Sequence, residues 1–493
     1  MKKTINFKFL IICNLTIIFF FRNFLFKNPI MDKDVVQMSV LLGIAVVLNV
    51  VVILFSKMEF SPTKKFLIAA SFIGIGYILI APILHGIDET AHFSRVYSFF
   101  LDSRTTDSGA YQLPKAILNA GSSLPEHGGN FSLVGTRIAN DDLVEAENLR
   151  GARLYTPLSY LPYLIPVWVL GFLIKTNLFA IVTSARFFGF LLYLIASVYA
   201  IKTIPKRKDF MALFCLMPIV ISSGCTINAD LLTNCSMIVF IAIWYRLYYE
   251  KKQITIKDIV LIIITGILAG YAKMVYALEF LLIFFLPKEC FGGTNKQKAK
   301  VLGIVIGVIL AATLINVFLA AGSMDNSYEG FQLQKEFVLT HPLKFLAILA
   351  GNILGNYSFF YTFTTNFTIL QNVFGPSQFV QLLYFIALLM CIFKEEADLK
   401  LGTFTKISIM TIGLVIISMM CVSLYLQWTS EQIGVGVNQI EGMQSRYYIP
   451  VMLMFLISLA SKKDTLNIDD NVPWFIAIWA NITILINIML LVV

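Results

Sequence analysis

Long apolar runs separated by short polar segments extend along the whole chain. Because a membrane-spanning helix needs about 20 mostly apolar residues, these runs predict about 13 spanning helices. The predicted spans are 9–26, 36–56, 66–84, 179–200, 209–224, 231–249, 258–272, 274–287, 301–321, 377–394, 405–426, 447–461 and 473–492. The sequence therefore predicts an all-α, polytopic integral membrane protein whose single membrane domain comprises residues 1–493.

Lysine and arginine clusters occupy alternate gaps between these spans, as at 202–208 and 288–300. Basic loops stay on the cytoplasmic side, which places the N-terminus inside the cell in a multi-pass protein of the cytoplasmic membrane. Three polar segments then face outward. They are a large first extracytoplasmic loop at 85–156, a second loop at 322–376 with an interfacial helix, and a third at 427–446.

The segment 157–174 is apolar enough to span, but its three prolines are expected to break a helix into short pieces. If it spanned the membrane, the basic loop at 202–208 would lie outside, against the charge rule. We therefore predict a membrane-surface or re-entrant helix for this segment.

With 58% hydrophobic residues, the chain is too apolar to be a soluble globule. A net charge of +9 would suggest nucleic acid as a partner of a soluble protein. Here the basic residues sit in short loops that set orientation, so we predict a lipid bilayer and no nucleic acid as partner. The seven cysteines lie mostly inside apolar runs without a CxxC motif, which supports neither a disulfide framework nor a zinc site.

The segment 85–95 opens the longest polar stretch and concentrates ionisable side chains beside the span 66–84. A helix would bring Asp88, His92 and Arg95 to one face, with Glu89 beside Asp88. Such a group can accept a proton, hold a metal or bind a phosphate. The alternative is a solvated helix start, in which the acids favour the helix N-terminus and pair with the imidazole and guanidinium at the surface.

Charged residues also mark other predicted turns and spans. Lys273 and Glu279 lie close to or within the apolar layer, where charges are costly and usually paired or functional; Lys273 would otherwise snorkel to the interface. Asp230 lies at an outer turn, where capping the next helix is the alternative to a ligand role. Arg446 suits a phosphate because guanidinium binds oxygens in a fork, but it could be an ordinary interfacial arginine.

Two motifs together resemble a bacterial family of polytopic membrane proteins catalogued as domain of unknown function 2142. Residues 88–95 read Asp-Glu-x-x-His-Phe-x-Arg, like the family's signature in its first large outer loop. Residues 442–450 read Gly-x-Gln-Ser-Arg-Tyr-Tyr-x-Pro and resemble its later Gly-x-Gln-Gly-Arg-Tyr-hydrophobic-x-Pro motif. The stretch 334–345 is also similar, and the order and spacing agree over roughly residues 66–460. Thr90 and Ser445 depart from the usual proline and glycine, and Ser445 is expected to crowd the backbone near the motif's arginine.

The family's layout is similar to that of GT-C glycosyltransferases, which take a sugar from a polyprenyl-phosphate donor and carry essential acids in their first outer loop. The resemblance implies that Asp88 or Glu89 is the catalytic acid residue, acting as a base toward the acceptor hydroxyl. The residues it implies for substrate binding are His92, Arg95, Lys273, Gln444, Arg446 and Tyr447. Among them, Arg446 is the main partner expected for the donor phosphate.

The function predicted from this resemblance is transfer of a sugar from a polyprenyl-phosphate donor to a cell-envelope glycan acceptor on the outer face. The alternatives are an O-antigen-polymerase-like enzyme, a transporter or flippase of lipid-linked sugars, and a non-catalytic envelope assembly subunit. A transporter usually places its polar residues near the bilayer midplane and often shows internal repeats. In this sequence the polar residues crowd the outer loops and no repeat is detected.

Two chemical expectations concern the acids. Magnesium or manganese would suit carboxylate and phosphate oxygens, with Asp88, Glu89 and Asp230 as candidate ligands, but no dedicated cage of acids is visible and no metal is predicted. A neighbouring carboxylate and the low-dielectric membrane border are expected to raise the pKa of the catalytic acid.

Overall fold

The computed structural model describes residues 59–101, 112–122, 133–146, 155–321, 329–355, 378–394, 401–459 and 471–492, with scattered positions elsewhere. The predicted spans 9–26 and 36–56 lie outside these residues, except for such scattered positions. The helices are α1 (Pro62–Ile80), α2 (Glu89–Ser98), α3 (Lys115–Ser122), α4 (Pro157–Leu173), α5 (Leu178–Thr203), α6 (Lys208–Leu216), α7 (Pro218–Gly224), α8 (Asp230–Glu250), α9 (Ile256–Ala272), α10 (Met274–Phe285), α11 (Asn295–Ala321), α12 (Glu329–Thr340), α13 (Pro342–Leu354), α14 (Gln378–Lys394), α15 (Thr403–Gln432), α16 (Ser445–Ser458) and α17 (Val472–Val492). A short antiparallel pair, β1 (Gln112–Pro114) and β2 (Leu143–Glu145), lies in the first polar loop.

The fold is an all-α membrane protein. Among the described residues, five helices are long and apolar enough to cross a membrane: α1, α5, α8, α11 and α15. The pair α12 and α13 makes six if it is one span, although it bends by 103°. Multiple spans are thus supported, whereas the predicted number of about 13 is not established.

One predicted span, 209–224, consists of two helices. Met217 separates α6 from α7 with an extended ψ of 131°, because the residue before a proline avoids the helical region. Every residue from Phe210 to Ile238 is buried, including the turn that joins α7 to α8. This region is the centre of the bundle, and α8 packs there between α5 and α9.

The prolines of α4 change the type of helix and do not separate it into isolated pieces. A 3-10 turn at Pro157–Tyr160 leads into α-helical Leu161–Val167 and then π-helical Trp168–Leu173. Pro166 has no N–H to donate and its ring crowds the preceding turn, which accounts for the wider turn that follows. The helix packs along α5.

Four helix ends meet at one end of the bundle: the C-terminal ends of α1 and α9, and the N-terminal ends of α8 and α16. The opposite end of α8 lies about 30 Å away, because its 21 residues each rise about 1.5 Å. There α9 begins with a capping box between Thr255 and Asp258, and Arg246 pairs with Asp258 at 2.6 Å. The polar side chains of the two ends are therefore separated by the apolar length of the bundle.

Candidate functional site

The two acids of the first motif point to different surroundings. Asp88 has a left-handed backbone (φ 57°), which aspartate tolerates better than most residues, and α2 starts directly after it. The side chain of Asp88 is 48% exposed, whereas that of Glu89 is 0% exposed. The acids therefore do not form the shared pair that their adjacency suggests.

Glu89 is held by Arg186 of α5. The Arg186 Nη2 and Nε atoms donate to its two carboxylate oxygens at 2.6 and 2.8 Å, and the backbone N–H groups of Gly86 and Ile227 each donate at 3.1 Å. A carboxylate offers about four acceptor sites, so these four bonds leave none for a substrate proton or a metal. The buried, ion-paired Glu89 is also not the solvated helix start considered from its sequence.

Arg186 joins this pair to the end of α1. Its remaining N–H groups donate to the backbone carbonyls of Ile78, Ala81 and Pro82 at 2.7 to 3.2 Å. The last carbonyls of a helix have no partner within the helix, and Arg186 satisfies them here. One guanidinium thus fixes the end of α1, the start of α2 and, through Glu89, the turn before α8.

Asp88 belongs to a row of alternating charges. Arg446 Nη2 donates to Asp88 Oδ2 at 2.6 Å, and Arg446 Nε lies 3.1 Å from Asp230 Oδ2. The other Asp230 oxygen lies 2.9 Å from Nζ of Lys273. We call Asp88, Arg446, Asp230 and Lys273 the charge chain. Its formal charges sum to zero, and Asp88 is its exposed end.

The segment 442–446 brings two more donors to Asp88 and Ile87. Gln444 Nε2 donates to the same Asp88 oxygen at 2.9 Å, and Arg446 Nη1 donates to the carbonyl of Ile87 at 2.8 Å. Gly442 has φ +87°, and a Cβ there would lie 2.6 Å from the Trp428 ring. Only glycine fits this close approach without displacing the ring, and it sets the path of the chain toward Arg446.

Aromatic rings surround the charge chain. Lys273 Nζ lies 3.2 Å from the centroid of the Tyr447 ring, and the Tyr276 hydroxyl donates to the Tyr447 carbonyl at 2.6 Å. Cation–π contact and the ion pair with Asp230 together hold Lys273 in place, so it does not simply snorkel to the interface. Asp230 is the first residue of α8 and makes no side-chain cap, so the capping alternative is wrong.

His92 and Arg95 contact the first turn of α4 and the residues just before it. His92 Nδ1 lies 2.7 Å from the Tyr160 hydroxyl, and its ring packs against Tyr155. Arg95 lies over the Phe99 ring at 4.6 Å and donates through Nε to the Tyr155 carbonyl at 3.3 Å. Through these contacts Arg95 helps to hold this segment against α2.

The pKa values of the two motif groups differ from the sequence expectation. The partial burial of Asp88 would by itself raise its pKa, but the positive charge of Arg446, followed by His92 and the Gln444 hydrogen bond, holds the pKa below its ordinary value. The expectation of a raised pKa was wrong for Asp88 because its nearest ionised neighbour is a guanidinium and not Glu89. Burial and the charge of Arg446 lower the pKa of His92 to about 4, so its imidazole is neutral at pH 7.

The residues do not fit a divalent metal. Within the described part of the chain, no group of three or more histidine, cysteine, aspartate or glutamate side chains could hold one. All acceptor sites of Glu89 are used, and Asp88 and Asp230 both bind Arg446. A cation between the two aspartates would have to displace the guanidinium, so we assign no step to a metal.

From separate segments, the structure brings together six residues named from the sequence: Asp88, Asp230, Lys273, Gln444, Arg446 and Tyr447. Arg186, Tyr160 and Tyr276 also hold the site in place but were not assigned to it from the sequence. Arg186 carried a usable signal, because a lone arginine in the predicted span 179–200 requires an acidic partner. The two tyrosines carried none, since aromatic residues are common throughout the chain.

Comparison with protein families gives a match to the family described as "Predicted membrane protein (DUF2142)" over residues 71–455. The matched region contains both motifs and the whole charge chain. No curated protein and no solved structure matches the chain.

Proposed function

This chain belongs to that family of predicted membrane proteins, and from this premise we propose that it is a GT-C type glycosyltransferase. In this proposal it transfers a sugar from a polyprenyl-phosphate donor to a cell-envelope glycan on the outer face of the cytoplasmic membrane. The observation that carries the proposal is the charge chain itself. It has the exposed Asp88 carboxylate at one end and contains two cations, Arg446 and Lys273. Base and phosphate-binding groups are both needed for transfer from a lipid phosphate.

Asp88 is the base in this mechanism. Both of its polar contacts are made by Oδ2, which leaves Oδ1 without a hydrogen bond among the described residues. The acceptor hydroxyl oxygen bonds to the anomeric carbon of the donor sugar, and its proton passes to Asp88. The bond from the anomeric carbon to the phosphate oxygen breaks, and its electron pair stays on the leaving polyprenyl phosphate.

Arg446 and Lys273 stabilise that leaving phosphate. A guanidinium binds phosphate oxygens in a fork, and Lys273 adds a point charge held against the Tyr447 ring. The phosphate has to compete with Asp88 for Nη2 of Arg446. The Arg446–Asp88 ion pair is the shorter and the more exposed of the two ion pairs that Arg446 forms. When the phosphate binds Arg446, Asp88 is released and the phosphate neutralises the positive charge that lowers the pKa of Asp88. The pKa of Asp88 then rises, so Asp88 is a stronger base when the donor is present.

Glu89 has a positioning role in this proposal. Its bonds to Gly86 and Ile227 fix the backbone on both sides of the site, beside Asp88 and before Asp230. Catalysis is therefore assigned to Asp88 alone, although the sequence motif offered both acids equally.

The test compares envelope glycans and lipid-linked sugars in a parent strain, a deletion strain and an Asp88→Asn variant. We expect the variant to reach normal abundance in the membrane, to lose the same glycan substituent as the deletion, and to accumulate the sugar donor on the outer leaflet. Asp141→Asn is the matched control, because Asp141 is an exposed aspartate in the same loop and has no contact with the charge chain.

Other outcomes would reject the proposal. Accumulation of the lipid-linked sugar on the inner leaflet would indicate a transporter, and an Asp88→Asn strain with parental glycans would indicate a non-catalytic subunit. Purified protein gives a second measurement with polyprenyl monophosphate as the probe. Asp88→Asn should bind it several-fold more tightly than the parent, because the internal competitor for Arg446 is gone, while Arg446→Gln should bind it more weakly.

A further inference from the structure

Glu279 is a second fully buried glutamate, and its surroundings differ from those of Glu89. Both side chains are 0% exposed. Glu89 receives four hydrogen bonds and an arginine, whereas neither carboxylate oxygen of Glu279 has a hydrogen-bond partner or an ion pair among the described residues. The described part of the chain therefore contains a buried carboxyl group, that of Glu279, whose two oxygen atoms have no polar partner.

Glu279 lies in α10, a 3-10 helix of 12 residues. Runs of this helix longer than three or four residues are uncommon and often mark a functional segment, and side chains at i and i+3 eclipse one another. Tyr276 and Glu279 have that spacing and share one face, and Lys273 is the extended residue that directly precedes the helix. At about 2 Å per residue, Glu279 lies about 12 Å along the helix axis from Lys273, toward the interior of the bundle.

Apolar side chains from two clusters flank Glu279. Its chain neighbour Phe280 stacks on Phe240 of α8 at 4.2 Å and belongs to the main core, while Leu278 packs against a second cluster that includes Tyr276. An ionised carboxylate without a partner is strongly disfavoured in such surroundings, and a buried acid normally becomes neutral instead.

The helices packed against α10 are α8, α9, α11 and α15. The charged residues described on these helices are Asp230, Arg246, Glu250, Lys257, Asp258, Lys296, Lys298, Lys300, Lys406 and Glu431. None of them forms a hydrogen bond or an ion pair with Glu279. On the same helix, the Tyr276 hydroxyl lies close enough to feel the charge of Glu279, and it donates a hydrogen bond to the Tyr447 carbonyl beside the charge chain.

We propose that Glu279 is a proton-binding site in the interior of the bundle, occupied at neutral pH, and that its proton exchanges with the charge-chain end along the face of α10 that carries Tyr276. The ligand is a proton taken from water at that end. An ionisable side chain at such a depth is costly and is by default a functional group. This inference is independent of the glycosyltransferase proposal, because it concerns a residue and a ligand that sugar transfer does not use.

Infrared difference spectra of purified protein in a bilayer test the occupied state. The parent spectrum minus that of Glu279→Gln should contain the C=O stretch of a protonated carboxylic acid at neutral pH. Glu336→Gln is the matched control, since Glu336 is exposed, and its difference spectrum should contain carboxylate bands. If the Glu279 difference spectrum showed only carboxylate bands, the acid would be ionised and the proposal would be overturned.

The route is tested by the rate at which the same C=O band shifts after transfer to heavy water. Tyr276→Phe removes the one hydroxyl on the connecting face and should slow the exchange several-fold. Tyr271→Phe, on the last turn of α9, should leave the rate unchanged. Equal rates in the parent and in Tyr276→Phe would overturn the route. Neither measurement uses a sugar donor, so failure here is distinguishable from failure of the proposed transferase activity.

Discussion

Replacing Glu89 by glutamine should destabilise the protein, although this change keeps the size of the side chain. The variant would leave the fully buried Arg186 guanidinium without its counter-ion, since its other acceptors are neutral carbonyls. The new NH₂ group would also face an N–H donor, from either Gly86 or Ile227. Breaking a buried ion pair by removing one partner costs about 3–5 kcal/mol.

That free energy is large compared with the total stability of a native protein, which is about 5–15 kcal/mol. We therefore expect Glu89→Gln to reach low abundance in the membrane and to unfold at a clearly lower temperature in detergent. Asp88→Asn is the control, because the Asp88 side chain is about half exposed and Arg446 keeps Asp230 as a counter-ion in that variant, so the loss of stability should be smaller. The two substitutions are chemically alike, so their difference measures the effect of burial.

A double variant separates the ion pair from other effects. If Glu89 and Arg186 act as a unit, Glu89→Gln combined with Arg186→Gln should be much less destabilised than the sum of the two single variants. The reasoning would be refuted by a Glu89→Gln protein that is as abundant and as heat-resistant as the parent. If that protein were also inactive, Glu89 would be the chemical group and the assignment of catalysis to Asp88 would be wrong.

Three further measurements test the site and its orientation. Arg446→Gln should lower the rate of sugar transfer per folded molecule by about 10²- to 10³-fold, as does the loss of a single donor to a developing anion. Arg446→Lys should lower the rate less, because the positive charge remains. Parental rates in both variants would place Arg446 outside the reaction. The pKa of His92 is about 4 in the folded state and about 6.5 ordinarily, so as the pH falls the unfolded chain binds the proton first. The stability of the fold should therefore decrease as the pH falls from about 6.5 to about 4. In thermal unfolding, His92→Gln should reduce this dependence of stability on pH, and an unchanged dependence would contradict the prediction. Cysteines at Ser122 and Asn295 should react with a membrane-impermeant thiol reagent in intact cells and only after lysis, respectively, whereas equal labelling would overturn the predicted topology.

The sequence predicted the class of the fold because span length and hydrophobicity are local properties. It could not show how each apolar run is divided, since the break at Met217 and the π-turn after Pro166 depend on packing as well as on the prolines themselves. For this reason the number of spans is the feature that the sequence predicts least well. Several apolar runs form helices shorter than a bilayer needs, and periodicity alone does not reveal their length.

The candidate site was only partly readable from the sequence for a similar reason. The two motifs identified Asp88 and Arg446, but adjacency suggested that Asp88 and Glu89 act together. Their separation follows from the left-handed backbone at Asp88 and from the arginine at position 186, which lies 97 residues away from Glu89. Such long-range pairing is a property of the tertiary structure, and a single sequence does not encode it in any local pattern.

The pairing distances along the chain also have a consequence for biosynthesis. Glu89 meets a partner only 97 residues later, and Asp230 meets Lys273 within the next helix pair, but Asp88 and Arg446 are 358 residues apart. As helices enter the membrane in order from the ribosome, the structural ion pair can form early, while Asp88 keeps an unpaired charge until α16 is inserted. The Asp88 carboxylate and the Arg446 guanidinium therefore come together only after α16 has been made, and a chain that stops before α16 lacks the complete charge chain.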